Sequence, residues 1–249
     1  MRLIYKETVT VTPDLTDASG ILRPSAALRL TQAAAGHHCD LLGLDEAVMA
    51  QKGLFWAIIR NYYTVEAMPA VGQTITLETW PMPTTRTCFP RACIARDTSG
   101  KELFACHSLW ILMDRQTRAM VLPGKSGVDV PGVTLEHTPP APKSLSPICA
   151  DATAARQVKN EDLDQNGHMN NARYLDWAEA ALDGDFRQNA RLRHATLCYL
   201  NEAKLGQNLT SCTGFDANGA FLFDLRRAKE DGSFDRIFSA RLEYDNIVM

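Results

Sequence analysis

Polar and apolar positions along this chain fall into two passages that follow one order. Over residues 24–43 the pattern predicts a helix: Pro24 suits a first turn, apolar Ala26, Leu28, Leu30 and Ala33 to Ala35 follow, and Gly43 suits the end. Strand-like runs, rich in β-branched and aromatic residues, come next at 55–66, 73–80, 87–97 and 103–114. A second helix is predicted over 171–183, with Ala172, Leu175, Trp177, Ala178, Ala181 and Leu182 as its apolar stripe. Four more strand-like runs follow at 193–202, 207–215, 220–229 and 234–247. Residues 1–11 alternate polar and apolar, which predicts one further strand at the start.

The two passages also match in local sequence. Val71-Gly72-Gln73-Thr74-Ile75-Thr76 resembles Leu205-Gly206-Gln207-Asn208-Leu209-Thr210, and Arg96 to Asp114 is as long as Arg227 to Asp245. Asp17-Ala18-Ser19-Gly20-Ile21 aligns with Asp164-Gln165-Asn166-Gly167-His168, with Ser in place of Asn and Ile in place of His. Three matches in one order indicate a duplicated module whose second copy keeps the imidazole. Between the copies, Pro123, Pro131, Pro139, Pro140, Pro142 and Pro147 oppose both helix and central strand. The predicted organisation is therefore α+β: modules at 1–128 and 153–249, each a long helix wrapped by an antiparallel β-sheet, joined by an extended linker at 129–152.

Composition narrows the function classes. With 45% apolar and 22% charged residues the chain reads as a soluble globular protein, and a net charge of −3 gives no reason to expect nucleic acid or an anionic membrane as partner. No apolar run approaches the roughly 20 residues that span a bilayer, and the start lacks the apolar core of a signal peptide. Seven cysteines form no CxxC pair, and the odd count suits free thiols in a reducing compartment. These features together predict a cytoplasmic protein.

The candidate chemistry sits at Asp164, Asn166 and His168, immediately before the second helix. In an extended segment alternate side chains share a face, so the three could converge on one pocket. The positive end of the following helix would act at the same place. A carboxylate, an amide, an imidazole and a helix dipole suit hydrolysis of an activated acyl group. Other readings stay open: Asn166-Gly167 alone reads as a turn, and Asp164 alone as an Asx-turn holder or a solvated charge. Asn170 or Asn171 reads as the helix N-cap. A metal site is disfavoured, because Asn is a poor transition-metal ligand and no second His/Asp cluster accompanies the motif. No G-x-S-x-G elbow, P-loop or dinucleotide-binding glycine string occurs.

On these residues the chain resembles the acyl-acyl carrier protein thioesterases of bacteria and plant plastids, a family with two tandem hot-dog domains. The resemblance rests on Asp162-Leu163-Asp164-Gln165-Asn166-Gly167-His168-Met169-Asn170-Asn171, then Arg173-Tyr174 and Trp177. Leu197-Cys198-Tyr199-Leu200-Asn201-Glu202 is similar to the family strand that ends in a catalytic Glu. Phe55-Trp56-Ala57-Ile58-Ile59-Arg60 and Leu109-Trp110-Ile111-Leu112-Met113-Asp114 resemble its two Trp-containing strands. Where many members carry a Cys after the Glu, this chain has Ala203, so a thiol there cannot be essential to it. No plastid transit peptide precedes the first strand, which favours a bacterial-type form.

The resemblance implies a double hot-dog fold and an enzyme that hydrolyses fatty acyl-acyl carrier protein, releasing free fatty acid and ending elongation. It implies Asp164, Asn166, His168 and Glu202 as catalytic residues, with Asp164 either nucleophile or support. No cofactor and no metal are implied. The partner implied is acyl carrier protein bearing a phosphopantetheine-linked chain, with Arg187, Arg191 and Arg193 as candidate docking cations. The first module, lacking the His, is expected to hold the acyl tail, with room left by Ala33, Ala34 and Ala35. Alternatives are a hot-dog acyl-CoA thioesterase or hydratase, or a non-catalytic acyl-binding protein. Oligomerisation is left open, since tandem modules can form within one chain the pair that single hot-dogs make by dimerising.

Overall fold

The structure, a computed structural model, describes residues 3–148, 152–164 and 166–246, without the side chains of Asp185, Arg187, Gln188 and Asn246. The chain divides into two units, Met1–Pro142 and Lys143–Met249. Unit 1 holds β1 (Tyr5–Thr10), α1 (Pro24–Leu41), α2 (Glu46–Gln51), β2 (Leu54–Val65), β3 (Thr74–Pro81), β4 (Phe89–Arg96), β5 (Glu102–Asp114), β6 (Met120–Val121) and α3 (Pro123–Ser126). Unit 2 holds β7 (Ala152–Gln157), α4 (Asn171–Ala180), α5 (Gly184–Asn189), β8 (Ala190–Tyr199), β9 (Asn208–Phe215), β10 (Phe221–Ala228) and β11 (Phe234–Asn246).

Both units build one strand order. Unit 1 runs β1-β3-β4-β5-β2 with β6 on β5, and unit 2 runs β7-β9-β10-β11-β8. Neighbours within each sheet are antiparallel. The repeat read from the sequence is thus a repeat of topology. Each predicted helix and strand has its counterpart, while α2, α3, α5, β6 and β7 were not predicted.

In unit 1, α1 lies against β1 and β3. Its buried side is built from small residues, Ser25, Ala26, Ala27, Ala34 and Ala35, with Leu28, Thr31 and His38 between them. Small side chains let the helix backbone approach the sheet closely. β4 is buried along nearly its whole length, because its second face is covered too. The cover is the first half of the Pro-rich stretch. Val133 N–H donates to Pro81 O at 2.8 Å, and Val133 and Leu135 pack on Trp80, Ala92, Ile94 and Ala105. Gly132 permits this close approach, since a Cβ there would lie 2.4 Å from Pro83 N.

The unit boundary at Pro142 and Lys143 falls inside the predicted linker, and each half is bound to its own sheet. In unit 2, Arg236 donates to Leu145 O at 3.2 Å and Ile148 N–H to Asp224 Oδ2 at 3.2 Å. Residues 129–148 form no helix or strand, as Pro dictates. They are packed rather than free. Among the described residues no helix is long and apolar enough to cross a membrane.

Candidate active site

Asp164, Asn166 and His168 do not lie on an extended segment, so alternation does not place their side chains on one face. They form a tight turn. Asp164 N–H donates to His168 O at 2.8 Å and Gly167 N–H to Asp164 O at 3.1 Å. Asp164 Oδ1 accepts from Asn166 N–H at 2.8 Å and from His168 N–H at 3.4 Å. Gly167 has φ +76, a conformation that glycine adopts without strain. Asn166 is exposed on this turn, next to Gly167.

The turn sets His168 beside Glu202. His168 Nε2 lies 3.3 Å from Glu202 Oε2, with side chains 23% and 40% exposed, so water reaches the pair. The backbone holds the two segments together. His168 bridges to Lys204, and Met169 N–H donates to Ala203 O at 2.9 Å. Glu202 follows β8, whose end is tied down by Leu200 and Asn201 N–H groups, both donating to Ile237 O.

Helix α4 starts at the same place. Asn170 is its N-cap and accepts from Ala172 N–H at 2.9 Å, as its residue type predicts. Arg173 N–H also bonds Asn170, through its carbonyl oxygen. Among the described residues, the Asn171 N–H is the amide at this end left without a protein acceptor. Beneath lies Tyr174, whose phenol burial pushes well above its usual range, with the Glu202 and Asp164 carboxylates adding to the rise. Tyr174 therefore stays neutral, and its ring stacks on Phe238 with centroids 5.0 Å apart.

Sequence reasoning assigned no role to three residues that support this arrangement. Asp162, 0% exposed, accepts from Lys159 N–H at 3.0 Å and Trp177 Nε1–H at 3.2 Å, with Arg173 Nη2 3.3 Å away. It ties α4 to the segment before the turn. Gln207 Oε1 accepts from Lys204 N–H at 3.0 Å and from Arg227 Nη1 at 3.3 Å. Arg227 also donates to Glu202 O at 3.3 Å and pairs with Asp235 at 3.0 Å. The Gly-Gln match at 72–73 and 206–207 was the available signal for Gln207. Of the candidate docking cations, Arg193 pairs with Asp245 at 3.0 Å, Arg191 is exposed, and the Arg187 side chain lies outside the described residues.

Unit 1 repeats the scaffold without the imidazole or the carboxylate. Leu22 N–H donates to Pro69 O at 2.9 Å, Ile21 bridges to Ala70, and Gln73 Oε1 accepts from Ala70 N–H at 2.7 Å. Ile21 thus stands where His168 stands, and Met68 where Glu202 stands. Both positions of the His168–Glu202 pair are apolar there. Among the described residues no three His, Cys, Asp or Glu are grouped to hold a metal ion.

Comparison with known proteins identifies the family. The family model for the acyl-ACP thioesterase N-terminal domain matches residues 2–122, and that for the C-terminal domain matches residues 146–243. The chain is 25% identical over 238 residues to a chloroplastic dodecanoyl-[acyl-carrier-protein] hydrolase of Cinnamomum camphora, covering 88% of this chain and 62% of that protein. It is 26% identical over 180 residues to the chloroplastic palmitoyl-acyl carrier protein thioesterase of Arabidopsis thaliana, covering 68% and 44%. The chain spans about half the length of the curated relatives it matches. Among solved structures, an acyl-ACP thioesterase from Bacteroides thetaiotaomicron superposes with TM-score 0.87 at 22% identity, over 97% of this chain and 98% of that one. The 12:0-ACP thioesterase from Umbellularia californica superposes with TM-score 0.79 at 22% identity, over 99% and 98%. These likenesses show the fold, two hot-dog modules in tandem. With both family models matched across nearly the whole chain, the protein belongs to the acyl-ACP thioesterase family.

Proposed function

We propose that the protein hydrolyses the thioester of fatty acyl-acyl carrier protein, releasing free fatty acid. The observation that carries this is the His168–Glu202 pair, 3.3 Å apart at the start of α4 and replaced by Ile21 and Met68 in the other module. A pair present in one copy and apolar in the other supports a chemical role, since both copies fold alike without it.

Water held by the pair attacks the thioester carbonyl, and its proton passes to the Glu202–His168 couple. The Asn171 N–H at the positive end of α4 donates to the developing oxyanion, a contact typically worth about 3 kcal/mol in the barrier. As the C–S bond breaks, the proton returns to the phosphopantetheine sulfur, leaving a carboxylic acid and a free thiol. Asn166 orients the water or the carbonyl. Asp164 supports: its Oδ1 is engaged by two backbone N–H groups, and in that role it fixes the turn that aims His168.

In this reading unit 1 holds the acyl tail and acyl carrier protein is the partner. A reducing compartment such as the cytoplasm suits the six described cysteines, all free thiols. The test is incubation with a panel of acyl-acyl carrier protein and acyl-CoA thioesters while following thiol release. Turnover of the carrier-protein substrates that His168→Ala abolishes supports the reading. Normal turnover by a folded His168→Ala variant would sink it.

A further inference from the structure

Beyond the His168–Glu202 pair, the two copies differ in the residue that begins the helix. Each helix follows an N-cap residue in one extended conformation, Arg23 at φ −69, ψ 142 and Asn170 at φ −60, ψ 134. The first helical residue is then Pro24 in α1 and Asn171 in α4. Proline suits that place because its missing N–H is one the helix leaves unbonded. Asn171 keeps the N–H, and among the described residues no protein acceptor takes it. The copy with His168 and Glu202 is therefore also the copy with an unbonded amide at its helix start.

Tyr199 fixes where that amide stands. Its phenol donates to Asn171 O at 3.3 Å, and its ring meets Tyr174 edge-on at 5.9 Å between centroids and Phe238 at 5.3 Å. Tyr199 is the last residue of β8, three before Glu202. One side chain thus joins the strand that leads to the carboxylate with the helix end that carries the amide. The Asn171 carbonyl and N–H share one Cα, so a bond on the first restrains the rotations that would turn the second. In unit 1 the matching strand position is Val65. It pairs with Phe104 as Tyr199 pairs with Phe238, next to the carbonyl of Leu103 or Ile237 that takes two strand-end N–H groups. Valine donates nothing, and Pro24 has no N–H to aim.

We infer that Tyr199 is a positioning residue for the hydrolysis, holding the first residue of α4 so that the Asn171 N–H meets the thioester oxygen as charge develops there. The inference rests on the proposed function. No proton passes through Tyr199, whose part is to keep the amide donor and the Glu202 strand in one arrangement. A donor of this kind acts only when it stands where the oxyanion forms, so its placement governs kcat more than KM.

The test is steady-state kinetics of Tyr199→Phe, Asn171→Pro and the double variant on the acyl-acyl carrier protein that wild type turns over fastest, with melting temperatures alongside. Asn171→Pro removes the N–H and reproduces the start of α1, so it should fold. Its kcat should drop about 10²–10³-fold at nearly constant KM. That drop should exceed the one in Asn171→Ala, which keeps the N–H, by at least about tenfold. Tyr199→Phe should lower kcat about threefold to tenfold, the worth of one hydrogen bond. In the Asn171→Pro background it should add nothing, because no donor is left to place. A merely structural Tyr199 would cost both backgrounds the same factor. Equal costs in the two backgrounds, an unchanged kcat in Tyr199→Phe, or equal drops in Asn171→Pro and Asn171→Ala would each overturn the inference, while an inactive His168→Ala keeps the proposed function standing. A wild type that cleaves no thioester overturns both. Should Asn171→Pro not fold, Tyr199→Phe decides: lower kcat at unchanged KM and melting temperature supports the inference, and any other result overturns it.

Discussion

Asp164 and Asp17 hold one turn in two copies. Asp17 Oδ1 accepts from Ser19 N–H at 2.8 Å and Ile21 N–H at 3.1 Å, as Asp164 Oδ1 does from Asn166 and His168 at 2.8 and 3.4 Å. Asp97 and Asp216 repeat the pattern, bonding the second and fourth residues onward, each with glycine third. Four Asp-x-x-Gly turns share a conformation, and three serve where no His–Glu pair stands. The hydrogen bonds of the carboxylate at position 164 are those of its turn, as they are in the other three.

If that is its whole role, Asp164→Asn keeps the acceptor oxygen and the turn. Turnover should then stay within about tenfold of wild type, whereas Asp164→Ala should lower stability by about 1 kcal/mol, as loss of a side-chain cap does. Single-turnover hydrolysis in heavy-oxygen water should label the fatty acid and leave the protein carboxylates unlabelled. Label in Asp164, with a folded but inactive Asp164→Asn, would restore it as nucleophile.

Unit 1 supplies a natural control for the His168–Glu202 pair. Ile21 and Met68 occupy the positions of His168 and Glu202 on the same backbone bridges. The double variant His168→Ile/Glu202→Met should therefore fold with a melting temperature at or above wild type. Its turnover should fall about 10²–10⁴-fold, the range that general acid–base catalysis contributes. A variant that unfolds instead would mean the pair stabilises unit 2, and a variant that stays active would remove the pair from the mechanism.

The repeat was legible because its turns and strands reuse residues. Val71-Gly72-Gln73 and Leu205-Gly206-Gln207 recur because each Gln side chain caps the same bend, through Ala70 N–H in one copy and Lys204 N–H in the other. The pairing of His168 with Glu202 was not legible from periodicity, since a bridge between distant segments creates it. Alternation misled at 164–168, because a period of two cannot tell a strand from an Asx turn whose third residue is glycine. Asp-x-x-Gly recurs at 17, 97, 164 and 216 as this turn, but the same spacing at 40 ends a helix and at 129 lies in the Pro-rich stretch, so the motif alone does not tell them apart. β7 escaped because Ala152–Gln157 is exposed throughout and carries no apolar alternation. Buried Arg91 and Asn61 were equally hidden, since they lie in strand-like runs whose inward faces only the fold defines.

Arg227 is expected to act through Glu202. Its guanidinium joins Glu202 O, Gln207 Oε1 and Asp235, whereas Arg96, at the matching place in unit 1, bonds Gly100 O and Glu102 instead. Arg227→Met should lower kcat about tenfold with little change in KM if Arg227 acts through Glu202 alone, since only the carboxylate then loses its placement. Arg227→Lys should recover part of the loss. A proportional rise in KM with unchanged kcat would show that Arg227 touches substrate binding and not the pair.

His107 gives the fold a pH dependence separate from the site. It is buried on β5, with Nδ1 2.9 Å from Pro139 O in the stretch that covers the sheet, and its Nε2 is buried without a partner among the described residues. Burial lowers its pKa below the ordinary 6.5, the bond to Pro139 opposing only in part. A protonated ring would also carry an unanswered Nε2–H. Below about 6.5 the unfolded chain therefore binds a proton that the folded protein refuses. Stability must fall as the pH drops from there to the folded pKa, and level off below it. His107→Asn keeps a donor for Pro139 and does not titrate, so it isolates this contribution. In urea titrations at about pH 7.5 and about pH 5, wild type should lose stability relative to His107→Asn, by up to about 1.4 kcal/mol for each unit by which the pKa is lowered. An unchanged difference between the two proteins across that range would mean that the ring is protonated in the folded state, and that water has reached beneath the segment carrying Pro139.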